Sequence, residues 1–199
     1  MDFKYFLENI RFYGDHVLLI LGYILGFNLL NWLFFGSILN LLGIRPRHLV
    51  GLIGIPLAPI LHANLSHFLS NSFPLVFLSL MMIAIDGLNA YYDLCISISL
   101  LSGLMIWLFA RPAIHIGASA LATGMYGWLA ATTYYQPSAV NYLIMFILFF
   151  YFGFMIQGVL PNGDRSVSWE GHLFGMISGI IIHFYESDIL IYLSQFNLF

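Results

Sequence analysis

Charge is scarce in this chain. Asp, Glu, Lys and Arg make up only 8% of its 199 residues, against about 25% in a soluble domain. Six Lys and Arg face nine Asp and Glu, and the net charge of −3 is too small to recruit nucleic acid or another polyelectrolyte. A single cysteine, Cys95, excludes an internal disulfide. Low-complexity tracts and internal repeats are missing as well. What fills the chain is apolar: 61% of residues are hydrophobic, 18% aromatic, and the mean hydropathy is +0.91. That composition predicts an integral membrane protein, all-α, in one domain over residues 1–199 with a core of about 16–186. The apolar run after the polar-aromatic start is too long for a signal-peptide core, so the first helix is expected to be retained.

A spanning helix needs roughly 20 predominantly apolar residues. Six stretches qualify, at about 16–41, 67–86, 91–110, 117–134, 139–160 and 169–186. Between the first two, the segment 43–66 is apolar but broken by Pro46, Pro56 and Pro59, which predicts a loop lying in the membrane interface. Arg45, Arg47, Arg111 and Arg165 outweigh Lys4 and Arg11, so a positive-inside count puts the loop side in the cytoplasm. Tyr91, Tyr92, Tyr134 and Tyr135 read as one interfacial belt and Trp169 as the other. His115 and Arg111 read as headgroup contacts, Asp86 and Asp93 as the brackets of a short turn, and His183 as a group near the opposite interface.

Polar side chains inside membrane helices are costly and mark functional sites. Here His67 and Asn71, Ser119, and His172 fall in the first turns of the second, fourth and sixth stretches. If the stretches alternate in direction, all three enter from one side and their polar groups meet at one depth. Ser119 follows Gly117 in Ile-Gly-Ala-Ser-Ala, where helix-terminal amides lack intrahelical acceptors and can bind an oxyanion. An N-cap or a small packing residue is the plainer reading of that serine. His172 heads a small-residue face with Gly175 and Gly179, and Gly124, Gly127 and Ala131 form a comparable stripe below Ser119. Packed together, the two stripes would bring a serine within reach of a base, which it needs in order to act as a nucleophile. His67 and Asn71, four apart, project from one helix face and both donate hydrogen bonds, as an oxyanion hole requires. His62 precedes them as an orienting group. Paired histidines also bind metals, but no acidic residue accompanies these in a zinc-ligand spacing.

The ordered set H-x4-H-x3-N, G-x-S-x and H-x2-G-x3-G, over about residues 16–186, resembles the rhomboid family of intramembrane serine proteases. The resemblance implies a six-transmembrane-helix bundle with an interfacial loop between helices 1 and 2. It implies a Ser119–His172 dyad without aspartate, and an oxyanion hole of His67, Asn71 and the Ser119 amide. His62, Gly117, Gly175 and Gly179 would support the site, with neither metal nor cofactor. Substrates would be transmembrane or juxtamembrane segments of other membrane proteins, met in the bilayer and not on nucleic acid; the oligomeric state stays open. The implied location is multi-pass in a bacterial inner membrane, with the site towards the outside, against the arginine count. The sequence departs from the family at three places: Ala120 follows the serine where many rhomboids have glycine, Thr123 stands where an aromatic ring often stacks on the histidine, and Arg45-Pro46-Arg47 replaces a Trp-Arg pair. The competing readings are a catalytically inactive rhomboid relative that binds membrane clients, which would have lost Ser119 or His172, and a small transporter, which would spread polar groups through the membrane depth.

Overall fold

In the computed structural model, residues 3–161 and 168–194 are described, with side chains as far as 187; Arg165 lies outside them. Among the described residues the chain forms seven α-helices and no strand: α1 Phe3–Phe34, α2 Gly54–Leu57, α3 Leu65–Phe109, α4 Ser119–Tyr135, α5 Ala139–Phe152, α6 Phe154–Gln157 and α7 Trp169–Ser194. By length and composition, α1 and α3 could cross a membrane, and α5 is a shorter apolar helix.

Helix α1 begins well before the expected position 16. Its first turns carry Lys4, Glu8, Arg11 and Asp15, and Lys4 and Glu8 form an exposed i,i+4 ion pair at 3.8 Å. The helix stops at Phe34 because Gly36 and Ser37 both take positive φ, at 56° and 65°. Two 3₁₀ turns, Ile38–Leu42 and Leu49–Leu52, and the short α2 follow before α3.

Helix α3 runs for 45 residues but is broken at Gly87, whose φ of 83° suits glycine and almost nothing else. The second limb folds back along the first: the Ser79 and Tyr91 hydroxyls lie 2.9 Å apart. Tyr91 is therefore interior, 6% exposed, and not part of an aromatic belt. The expected turn between Asp86 and Asp93 shrinks to this one glycine. Asn64 caps the first limb, its Oδ1 accepting the His67 amide at 2.9 Å.

Helix α4 occupies the centre, with Met125, Trp128 and Leu129 fully buried. Lipid tails are as apolar as leucine, so close packing rather than water exclusion must hold such helices together. The α4–α7 contact supplies it. A Cβ on Gly179 would collide with the Gly124 carbonyl, one on Gly127 with the Met176 carbonyl, and one on Gly175 with the Ala120 carbonyl and Thr123 Oγ1. Backbone thus rests on backbone along both small-residue stripes. A smaller apolar cluster of Ile44, Ile55, Ala58, Ile106 and Ala110 seats the loop region against the end of α3.

Candidate functional site

Ser119 is the first residue of α4, and the chain reaches it through Gly117, whose φ is 108°. The Gly117 amide donates to the Ala58 carbonyl at 2.8 Å, and Ile44 and His115 exchange backbone hydrogen bonds at 3.0 and 2.9 Å. These bonds fix the approach to the serine against the loop that follows α1. A Cβ at Gly117 would sit 2.7 Å from His67 Nε2 and 3.3 Å from Asn71 Nδ2. Only glycine lets the chain pass so near both donors. His67 and Asn71 come from the first two turns of α3, and Asn71 is 7% exposed. The Ala63 amide donates to His67 Nδ1 across a long 3.4 Å. A neutral ring accepting at Nδ1 carries its proton on Nε2, the nitrogen nearest Gly117. Asn71 Nδ2 uses one hydrogen on the His67 carbonyl at 3.1 Å.

His172 sits one turn before Gly175, and Gly175 rests on Ala120, the residue after Ser119. The first turns of α4 and α7 are therefore neighbours. No hydrogen bond joins Ser119 to His172 among the described residues. His172 Nδ1 lies instead 3.0 Å from the Gly158 carbonyl, just past α6. Thr123 does not reach the ring: its Oγ1 donates back to the Ser119 and Ala120 carbonyls at 2.9 and 3.1 Å. Tyr126 is 6% exposed and packs in the main apolar core. A cavity of about 30 Å³ is lined by Ser99, Ser102, His115, Gly117, Ser119 and Ser168, among others. It has room for roughly one water molecule. His67 and Asn71 do not line it.

A family model for the rhomboid domain matches residues 46–189. This chain belongs to the rhomboid family. It is 34% identical over 154 residues to uncharacterized proteins of Mycobacterium bovis and Mycobacterium tuberculosis, a match covering 73% of this chain and 64% of each of theirs. An uncharacterized protein of Mycobacterium leprae is 34% identical over 147 residues, 70% of this chain and 58% of its own length. The chain thus spans less than two thirds of the length of these relatives.

Several groups shaping this rhomboid site carry no signal in the sequence. The backbone around His62 is pinned from the far end of α1 and from the 3₁₀ turn after it: Asn28 Oδ1 accepts the His62 amide at 2.8 Å, and the Trp32 indole and Asn40 side-chain amide donate to the His62 carbonyl at 2.9 and 3.2 Å. His115 is interior and not a headgroup contact, whereas Arg111 keeps part of its side chain exposed. His115 is 6% exposed, with Nδ1 2.8 Å from Ser168 Oγ and Nε2 3.1 Å from the Arg111 carbonyl. Arg111 Nε pairs with the buried Glu170 at 3.5 Å, two residues before His172. Both contacts tie the segment leading to Ser119 onto the start of α7.

The His62 ring is 1% exposed and stands edge-on to His67, with centroids 5.3 Å apart. Its Nδ1 donates to the Ile60 carbonyl at 3.1 Å. Burial pushes the ring down from 6.5 to about 4; the Ile60 hydrogen bond opposes the fall and His67 adds to it. The folded state therefore favours neutral His62. The stability this contributes is whole above about pH 6.5 and is lost as pH falls towards 4, on the order of 3 kcal/mol in all. Burial lowers His115 too, so the wild type carries more than one such group. Thermal melts followed by circular dichroism should show Tm falling between pH 7 and pH 4, and falling less in His62→Gln, which keeps a donor for Ile60. Equal slopes in the two proteins would mean that His62 charges freely in the fold.

Proposed function

We propose that this rhomboid is an intramembrane serine endopeptidase that cleaves transmembrane or juxtamembrane segments of other membrane proteins. In this reading the chain crosses a bacterial inner membrane six times, by α1, the two limbs of α3, α4, α5 with α6, and α7, and the site opens near the outer face. Ser119 attacks the scissile carbonyl while His172 takes its proton, then returns it to the leaving amine. His67, Asn71 and the Ser119 amide bear the charge of the tetrahedral oxyanion. Water then hydrolyses the acyl-serine, and the cavity beside Ser119, mostly apolar but with Ser102, His115 and Ser168 in its wall, has the size to hold it. No step calls for a metal or cofactor. Dyad geometry is expected to tighten when substrate binds, as apo hydrogen bonds at active sites are often long or unmade.

The observation that carries this reading is the close passage of Gly117 past His67 Nε2 and Asn71 Nδ2, two residues before a serine at a helix N-terminus. A serine there for packing alone would not need two donors gathered at its approach. The test is covalent labelling of the purified protein by a fluorophosphonate or isocoumarin. The label should map to Ser119 and be lost in His172→Ala. An unlabelled protein that still binds membrane clients would favour the inactive relative instead.

Asn71→Ala probes the oxyanion assignment. Loss of one donor typically costs about 10² to 10³ in kcat, roughly 3 to 4 kcal/mol. The effect should fall on kcat more than on KM, because the bond forms chiefly in the transition state. A change confined to KM would assign Asn71 to substrate binding.

A further inference from the structure

We infer that the Gly158 carbonyl is the positioning group for His172, standing where a carboxylate stands in a three-residue catalytic set. The inference rests on the dyad reading above. A histidine base needs its second nitrogen held, since the partner at that nitrogen fixes both tautomer and ring orientation. No carboxylate takes that place among the described residues: His172 Nδ1 lies 3.0 Å from the Gly158 oxygen. Among the described residues no aromatic ring stacks on the imidazole, and Thr123 is turned to the α4 backbone. The acceptor is well suited. The last carbonyls of a helical turn have no intrahelical donor, and Gly158 directly follows α6. A carbonyl oxygen can only accept, so the neutral ring must carry its proton on Nδ1 and leave Nε2 bare.

That tautomer is the one the chemistry requires. The Ser119 proton passes to bare Nε2 as Oγ bonds to the substrate carbonyl carbon, giving an imidazolium protonated on both nitrogens. The Nδ1–H bond to Gly158 persists while the Nε2 proton goes to the leaving amine. The side chain at 158 matters for the same reason. A Cβ there would lie 2.6 Å from Nδ1 and 3.3 Å from Cε1, so any residue but glycine pushes the ring away. The base is thereby oriented by the segment that follows α5, not by its own helix or by that of the serine.

The test uses the full chain in nanodiscs with ¹⁵N-labelled histidine, and the His172 signals are assigned by their loss in His172→Gln. At a pH where the ring is neutral, the wild type should show Nδ1 protonated and Nε2 bare. In Gly158→Ala, kcat should fall about 100-fold, as expected for a reacting group displaced by about 1 Å. KM should change little, and an Nε2-protonated population should appear. A variant that was merely less well folded would lose active protein without altering the tautomer of what remains. Nε2–H in the wild type, or wild-type kcat in Gly158→Ala, overturns the inference, and if Gly158→Ala does not fold the wild-type spectrum decides alone. Cleavage assays of His172→Ala run in parallel separate the two readings. An active His172→Ala overturns the dyad itself, whereas an inactive one beside an Nε2–H wild type overturns only the role of Gly158.

Discussion

Ser119→Ala should abolish cleavage of a transmembrane substrate while leaving insertion and Tm unchanged. Serine hydrolases that lose nucleophile or base commonly lose about 10⁶ in kcat, and losing both costs scarcely more, because the two act as a unit. His172→Ala should match Ser119→Ala, and the double variant should be no worse than either. The fold has little stake in the hydroxyl. Ser119 is only partly buried, and Ala118 already provides the non-helical start of α4 without a side-chain cap. The change in stability should be about 0.5 kcal/mol or less, as at sites without buried polar partners. Activity is read on a detergent-solubilised or reconstituted substrate and stability by thermal melt. Full residual activity would remove Ser119 from the mechanism.

Gly179→Leu should be nearly as damaging, by another route. Its first side-chain carbon would meet the Gly124 carbonyl and come within 2.8 Å of the Trp128 amide nitrogen, both of them backbone. Backbone cannot rotate aside, so α7 must move off α4. Overpacking of this kind costs about 1 to 3 kcal/mol or more, and displacing the first turn of α7 by about 1 Å costs roughly 100-fold in rate. Gly175→Leu bears on the Ala120 carbonyl, one residue past Ser119, and should cut activity by more for the same loss of stability. Gly22→Leu is the control, because a Cβ there meets nothing within 4 Å. Wild-type Tm and rate in both α7 variants would mean that the α4–α7 contact is not where these glycines put it.

Those glycines were readable from sequence because packing by small residues leaves a period: Gly124 and Gly127, or Gly175 and Gly179, recur at helical spacing whatever they touch. The starts of α4 and α7 were readable for a similar reason, since Gly117 and Trp169 mark where apolar runs begin. The start of α1 was not. Hydropathy registers only the part of a helix that lipid would cover, whereas residues 3–15 are held helical by spaced charges and by tail-end packing of Phe6. The end of α3 against the loop was misjudged because Arg111 and His115 look like surface groups by type, and only the fold supplies Glu170 and Ser168 as partners. Gly158, Asn28, Trp32 and Asn40 gave no warning, since each acts on or through a main-chain amide or carbonyl, and such groups are the same at every position along a chain.

That last point has a consequence for how this protein can change. The bonds that pin the loop at His62 run from the side chains of Asn28, Trp32 and Asn40 to main-chain groups at Ile60 and His62. Tolerance to substitution is therefore divided unevenly. The stretch being held is anchored by its amides and carbonyls, so beyond the buried side chains of Leu61 and His62 its residue identities carry little of the anchoring. The obligation rests on three polar residues upstream of position 46, where the family match begins. A variant lost there would disable the site from outside the segment by which the family is recognised.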